Sequence, residues 1–195
     1  MRAVQAPFPA TGVDCVTPIT AQSAAALSAA DILFCARYLG SLTSDELETI
    51  LAAGLCVSPV TFADKFDPAQ TLAELAALGV PHGVTIWLDV ETVKEDPTGA
   101  INAWADALTE AGYQPGLYVG ANIGPPDNPL LAEALYKLRV VRYWSSMSRT
   151  PTPQCGWVMR QLYPTTSVGG VAVDIDVTQH DWEGRSCTMI GPDPR

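Results

Sequence analysis

The segment from residue 85 to residue 121 holds a complete strand, helix and strand repeat, and this repeat decides the fold class. It reads TIWLDVE (85–91), then TGAINAWADALTEAG (98–112), then GLYVGA (116–121). Two short runs of apolar and β-branched residues flank an Ala- and Leu-rich stretch that is long enough for a helix and ends in Gly. The same order recurs along most of the chain, which predicts an α/β protein built on a parallel sheet.

Eight runs are predicted as strands, and helical stretches follow most of the first six. The two last runs follow each other with only short links that contain Pro and Gly, so the helices are missing or reduced there. The predicted strands are GVDCV (12–16), ILFCARY (32–38), LCVSPVTF (55–62), TIWLDVE (85–91), GLYVGA (116–121), VVRYWSS (140–146), WVMRQLY (157–163) and GVAVDIDVTQ (170–179).

Eight strands are the number that closes a (β/α)8 barrel. A doubly wound open sheet is the alternative, but its usual Gly-rich phosphate turn is absent from GVDCVTPIT (12–20). We therefore predict a short, irregular TIM-like barrel. We expect a single domain over residues 1–195 with its core at about 12–180, and we expect it to be a monomer.

Composition excludes several classes of function. The 48% hydrophobic and 16% charged residues are typical of a globular domain, and the net charge of −10 disfavours nucleic acid as a partner. No apolar run reaches membrane-spanning length, and the N-terminal MRAVQAPFPATGVD (1–14) does not resemble a signal peptide. We expect neither a membrane partner nor an export signal in this chain.

Polar and aromatic residues collect where the predicted strands end, which is where barrel enzymes place their catalytic groups. The acidic ones among them bring several carboxylates to one mouth. The residues at the strand ends are Asp14, Arg37, Tyr38, Asp89, Glu91, Tyr118, Trp144, Gln161, Asp174 and Asp176.

Alternation along the strands predicts which of these side chains share a face. Thr85, Trp87, Asp89 and Glu91 form one row; Ala172, Asp174, Asp176 and Thr178 form another. Barrel closure would place the first strand beside the eighth, so Asp14 is expected next to Asp174. Crowded carboxylates raise at least one pKa, and a protonated acid beside an ionised one is what cleavage of a glycosidic bond requires. A solvated strand end is the alternative for any single pair.

Aromatic residues near the same strand ends can stack on sugar rings, although core packing is the simpler role for each one alone. They are Trp87, Tyr118, Tyr143, Trp144, Trp157 and Tyr163.

The motifs GVDCV, WLDVE, GLYVGAN, RYWSS, WVMRQLY and VDIDV, in this order, resemble the glycoside-hydrolase-like domains formerly classed as a domain of unknown function. More distantly they resemble the glycoside hydrolase family 25 muramidases, which cleave bacterial peptidoglycan between N-acetylmuramic acid and N-acetylglucosamine. The resemblance covers about residues 12 to 180. It implies a lysozyme-like, bacteriolytic enzyme that acts at the bacterial cell wall, as a phage endolysin or as an exported protein whose signal has been removed.

The resemblance also implies roles for individual residues. Glu91 would be the general acid, and Asp89 would stabilise the oxocarbenium-like or acetamido-derived intermediate. Asp14 and Asp174 would orient substrate or water. The mouth residues expected to bind the cell-wall polysaccharide are Asp176, Arg37, Tyr118, Trp144, Gln161 and Trp87. The sequence leaves a retaining and an inverting mechanism equally open.

Other functions fit the residues less well. A barrel that binds wall polysaccharide without cleaving it is the main alternative. A Ser-His-Asp hydrolase is disfavoured because His82 and His180 lie outside the strand ends and no GxSxG motif is present. The carboxylates collected at the strand ends can attract Mg2+ or Ca2+, but we expect no metal and no other cofactor.

The cysteines indicate neither a metal site nor a redox motif. Three of the five, Cys15, Cys35 and Cys56, are expected in the core. The sequence leaves open whether Cys155 and Cys187 form a disulfide.

Overall fold

The computed structural model describes residues 1–62, 67–90, 96–119, 137–140, 142–146 and 153–194, with only the backbone at 163 and 164. Within these residues the chain forms four helices and ten strands. The strands are β1 (Arg2–Gln5), β2 (Thr11–Asp14), β3 (Phe34–Tyr38), β4 (Cys56–Phe62), β5 (Thr85–Val90), β6 (Gln114–Val119), β7 (Arg142–Ser145), β8 (Met159–Val168), β9 (Val171–Thr178) and β10 (Thr188–Gly191). The helices are α1 (Ala21–Ala29), α2 (Ser44–Ala52), α3 (Pro68–Ala77) and α4 (Thr98–Glu110).

Eight of the strands close into a barrel. Their order is β4, β3, β2, β9, β8, β7, β6 and β5, and pairing between β5 and β4 completes the ring. The predicted TIM-like barrel with reduced helices is therefore confirmed. One of the predicted helical stretches, PLLAEALYKL (129–138) after the fifth predicted strand, lies almost entirely outside the described residues.

Local signals explain where the helices begin and end. Thr20, Thr43 and Asp67 are the N-caps of α1, α2 and α3, and each side chain accepts a backbone N–H of the first turn. Gly54 and Gly79 follow α2 and α3 with φ of 84° and 64°, a left-handed conformation that glycine adopts without strain.

The last barrel strand runs in the opposite direction to the prediction. β9 is antiparallel to both of its neighbours, β8 and β2. The cause is the link between β8 and β9, where Gly169 and Gly170 form a tight hairpin with φ of 60° and 80° and leave no room for a crossover helix. The eighth barrel strand, which carries Asp174 and Asp176, was expected to run parallel to the other strands, and this expectation is wrong. Asp174 nevertheless pairs with Asp14, as expected, because the first half of β9 lies beside the end of β2.

Two strands lie outside the eight-stranded ring, and neither was predicted from the sequence. β1 pairs with β10, and β10 pairs with β4, so the two extend the sheet. The N-terminal amine lies 2.8 Å from the Asp193 carboxylate, which brings the two ends of the chain together.

The core has two layers. One lies between the barrel and its helices, and the other fills the barrel with Phe34, Trp87, Trp144 and their neighbours. The inner layer is packed so closely that a Cβ added at Gly12 would lie 2.2 Å from the Phe34 ring. Glycine is therefore required there for the barrel to close around Phe34.

The five cysteines are all thiols, so Cys155 and Cys187 form no disulfide. Cys15, Cys35 and Cys187 are buried, whereas Cys56 and Cys155 are partly buried. None of the helices in the described part of the chain combines the length and the apolar character needed to cross a membrane.

Candidate functional site

Each of the eight barrel strands contributes one side chain to the same end of the barrel. Strand register aligns them: Phe62 is opposite Asp89, Asp89 is opposite Tyr118, and Tyr118 is opposite Trp144. We call this group the acidic mouth. Its members are Asp14 on β2, Tyr38 on β3, Phe62 on β4, Asp89 on β5, Tyr118 on β6, Trp144 on β7, Gln161 on β8 and Asp174 on β9.

Gln161 links the two carboxylates on one side of the acidic mouth. Its amide nitrogen donates to Asp14 Oδ2 at 2.8 Å and reaches Asp174 Oδ2 at 3.3 Å. Its amide oxygen accepts the Tyr118 hydroxyl at 2.9 Å, which fixes the orientation of the amide group. The Thr165 hydroxyl donates to the other oxygen of Asp174. Both carboxylates are therefore held in place while remaining partly exposed to solvent.

Asp89 lies on the opposite side of the mouth and is tied to Tyr38. The Tyr38 hydroxyl donates to Asp89 Oδ2 at 2.9 Å, and the Asp89 side chain is almost fully buried. Burial, followed by the negative charges of Asp89 and Asp14, raises the pKa of Tyr38. Tyr38 therefore stays protonated and acts as a hydrogen-bond donor to Asp89 throughout the neutral range.

Asp176 lies one layer deeper than the mouth. It is fully buried, its Oδ1 accepts the Trp144 indole N–H at 2.9 Å, and it also interacts with Asp14. Burial and the charge of Asp14 raise the pKa of Asp176 well above its usual range. The predicted direct contact between Asp176 and substrate is inconsistent with this burial. Asp176 instead lies beneath Asp14, and its raised pKa favours the neutral form, which can donate a proton to the Asp14 carboxylate.

Replacement of Asp176 by Asn tests this protonation state. Because the pKa of Asp176 is raised in the folded state, its contribution to stability is fully present below the ordinary aspartate pKa of about 4. That contribution is lost as the pH rises through the raised pKa. Asn reproduces the neutral acid, since its oxygen can accept from Trp144 and its amide can donate to Asp14. We expect Asp176→Asn to be more stable than the wild type at pH 8, and this advantage to vanish at pH 4. Urea unfolding at both pH values measures it, and an equal difference at both would contradict a raised pKa.

Three further predicted site residues are too deeply buried to be accessible from the mouth. Arg37 is on the outer face of β3, fully buried, where its Nε donates to Glu46 Oε1 at 2.8 Å. The prediction that Arg37 binds substrate is wrong because alternation along β3 turns its neighbour Tyr38, and not Arg37, to the mouth. Trp87 is also fully buried, and its indole N–H donates to Ser58 at 2.8 Å, so it packs inside the barrel. Trp144 is 2% exposed and forms the floor of the mouth.

Other predicted residues have different outcomes. Tyr118 and Gln161 lie in the mouth, as expected. Tyr143 and Trp157 belong to the outer core layer. Glu91 lies outside the described residues, so its predicted place beyond Asp89 stays a prediction. The side chain of Tyr163 is likewise outside them.

Sequence reasoning missed Phe62 and did not recognise the contact between Tyr38 and Asp89. The signal was present in the alternation of both strands. Phe34, Ala36 and Tyr38 share the inner face of β3, as Ser58, Val60 and Phe62 share that of β4. The rings of Tyr38 and Phe62 stack with centroids 4.2 Å apart and planes at 11°.

Among the described residues, no three or more His, Cys, Asp or Glu side chains are arranged to hold a metal ion. The carboxylates of the mouth instead bond to Gln161, Thr165 and Tyr38. Such an arrangement can orient sugar hydroxyls and stabilise positive charge in a neighbouring substrate.

Comparison with solved structures gives the same fold. An uncharacterized protein from B. stearothermophilus is 20% identical with a TM-score of 0.70, and the match covers 87% of this chain and 96% of that one. A bacterial lysozyme from Streptomyces coelicolor is 15% identical with a TM-score of 0.64, and the match covers 91% and 95%. At these identities the likeness establishes the barrel alone. No curated protein matches the chain.

The sequence itself carries a family signature. The model of the Rv2525c-like, glycoside hydrolase-like domain matches residues 25–186, which include every strand of the barrel except β2. The chain therefore belongs to the family of Rv2525c-like, glycoside hydrolase-like domains.

Proposed function

We propose that this domain is a muramidase-like hydrolase that cleaves the glycan strands of bacterial peptidoglycan, with Glu91 as general acid. The observation that carries the proposal is the acidic mouth itself, where three carboxylates from β2, β5 and β9 surround one opening. The family match and the lysozyme-like fold support a glycoside hydrolase. The proposed place of action is the bacterial cell wall.

Each described carboxylate has a proposed role that its contacts favour. Asp89, almost fully buried and oriented by Tyr38, stabilises the positive charge that develops at the anomeric carbon or in the acetamido-derived intermediate. Its low exposure strengthens this electrostatic effect because little water screens the charge. Asp14 and Asp174, partly exposed and joined by Gln161, orient the substrate or the attacking water.

The wild-type chain is expected to release soluble fragments from purified actinobacterial cell wall. Mass spectrometry of the supernatant should find glycan fragments that end in reducing N-acetylmuramic acid, because a muramidase breaks the bond on that side of the sugar. Asp89→Asn is the matched negative control, since the amide oxygen can still accept from Tyr38 while the charge is lost. If the wild type binds the wall but releases no fragment, the proposed hydrolysis is wrong and the domain is a non-catalytic polysaccharide-binding barrel.

A further inference from the structure

A groove beside the acidic mouth is not used by the chemistry described above. It lies between the ends of β3 and β4 and the first turns of α3, and it encloses about 180 Å³. We call it the side groove. The lining residues that matter for its chemistry are Tyr38, Gly40, Phe62, Asp67, Gln70 and Glu74.

One wall of the side groove is an aromatic platform. Phe62 stacks on Tyr38, and it is 53% exposed although it ends a strand whose other inner-face residues are buried. Burial of that exposed ring against a ligand would be favourable. Tyr38 also donates to Asp89, so the platform is continuous with the acidic mouth.

The opposite wall is polar and belongs to α3. Gln70 Nε2 donates to Glu74 Oε1 at 3.0 Å, which holds the two side chains together. Across from them, a Cβ added at Gly40 would lie 3.8 Å from Glu74 Oε1, so a larger residue there would narrow the groove. Amide and carboxylate groups facing an aromatic ring give a ligand both a surface for stacking and partners for hydroxyl groups.

The volume and the charge of the side groove define which ligand fits into it. A volume of about 180 Å³ is below the range of roughly 300–1,000 Å³ that is typical of pockets for drug-sized ligands, which suits a single ring. The carboxylates of Asp67 and Glu74 repel an anionic group and accept hydrogen bonds from hydroxyl or amide groups.

We infer that the side groove is a subsite for one neutral pyranose ring, carrying hydroxyl or N-acetyl groups, of a glycan chain that continues into the acidic mouth. This inference rests on the proposed function for the identity of the chain. The ring stacks on Phe62, its polar edge bonds to Gln70 and Glu74, and Tyr38 separates it from the reacting bond.

Calorimetric titration with a neutral trimer of N-acetylglucosamine tests the subsite. The reference protein and every variant carry Glu91→Gln, so that the trimer is not hydrolysed during the titration. We expect Phe62→Ala to weaken binding about five- to tenfold and Glu74→Gln about fivefold. Phe8→Ala and Glu110→Gln are the matched controls and should stay within about twofold. Phe8 is 55% exposed, close to the value for Phe62, and stacks on His180 rather than in the side groove.

Charge selectivity gives a second readout. A muramic acid derivative of the trimer with a free lactyl carboxylate should bind more weakly than the neutral trimer, and Glu74→Gln should reduce that difference. Phe62→Leu, which keeps apolar bulk but lacks a ring face, replaces Phe62→Ala if circular dichroism shows that the alanine variant is unfolded.

The possible outcomes separate the subsite from the proposed hydrolysis. Unchanged affinity in both Phe62→Ala and Glu74→Gln, or no binding of the trimer at all, would overturn the subsite even if the wild type cleaves cell wall. Weakened binding in these variants supports the subsite even if the wild type releases no fragments, which would overturn the hydrolase alone.

Discussion

Replacement of Glu91 by Gln is expected to lower the rate of cell-wall hydrolysis by a factor of about 10²–10⁴, the range for loss of a general acid. The amide has nearly the shape of the carboxyl group but cannot deliver a proton to the leaving sugar oxygen. The prediction follows from the Asp-x-Glu motif and from Asp89, whose side chain faces the acidic mouth. The rate of appearance of reducing ends from purified wall measures the effect.

Glu110→Gln is the matched control, since Glu110 is exposed at the end of α4 on the helical layer of the barrel. It should retain the wild-type rate. In a pull-down with insoluble wall, the Glu91→Gln variant should bind with the same affinity as the wild type. The general acid stabilises the transition state more than the bound substrate, so its loss lowers the rate and not the affinity. Equal hydrolysis by Glu91→Gln and wild type would remove Glu91 from the mechanism.

Replacement of Arg37 by Met is expected to destabilise the fold by about 3–5 kcal/mol, because it leaves the buried carboxylate of Glu46 without its cation. The side chains of Arg37 and Glu46 are 0% and 6% exposed. Glu46 Oε1 also accepts the backbone N–H of Ile19, and Arg37 Nη1 donates to the carbonyl of Cys15. The pair therefore fixes the chain that follows Asp14. Urea unfolding gives the free energy of the change.

The exposed pair of Arg139 and Asp106, with side chains 60% and 58% exposed, is the matched control. Solvent screens that pair, so Arg139→Met should change stability by less than about 1 kcal/mol. The double change Arg37→Met with Glu46→Leu should recover part of the lost stability, since no charge is then buried without a partner, although the Ile19 N–H and the Cys15 carbonyl still lose their side-chain partners. If Arg37→Met were no more disruptive than Arg139→Met, the buried pair would have no structural role.

Much of the barrel could be predicted from the sequence because each of its first six strands is a run of apolar residues between clear turn or helix signals. Gly54, Gly79 and Gly112 mark helix ends and indeed adopt left-handed conformations. β1 and β10 could not be recognised, since each has four residues and gains its partners only across the whole length of the chain. The reversal of β9 depends on the two-glycine turn after β8, which an expectation of eight parallel strands overlooked.

The site was predictable in its acids and less so in their neighbours. Asp14, Asp89 and Asp174 share the mouth because strand alternation and barrel closure dictate it. Arg37 was misplaced because it is the penultimate residue of β3 and its side chain points away from the barrel interior, whereas the next residue, Tyr38, faces the mouth. Asp176 was misjudged because sequence alternation gives the face of a side chain but not its depth inside a barrel. Burial depth depends on what fills the interior, here Trp144 and Trp87.

Pairing of β2 with β9 joins residues about 160 positions apart, and Asp14 and Asp174 meet in that pairing. We expect contacts of such long range to form late in folding, because a large loop must close before they bring any stabilisation. The two carboxylates linked by Gln161 therefore come together only when the ring of strands is complete. A partly folded chain with its helices and the sheet from β3 to β6 would still lack this half of the site. The proposed hydrolase activity would therefore report closure of the barrel more faithfully than the helical signal in circular dichroism does.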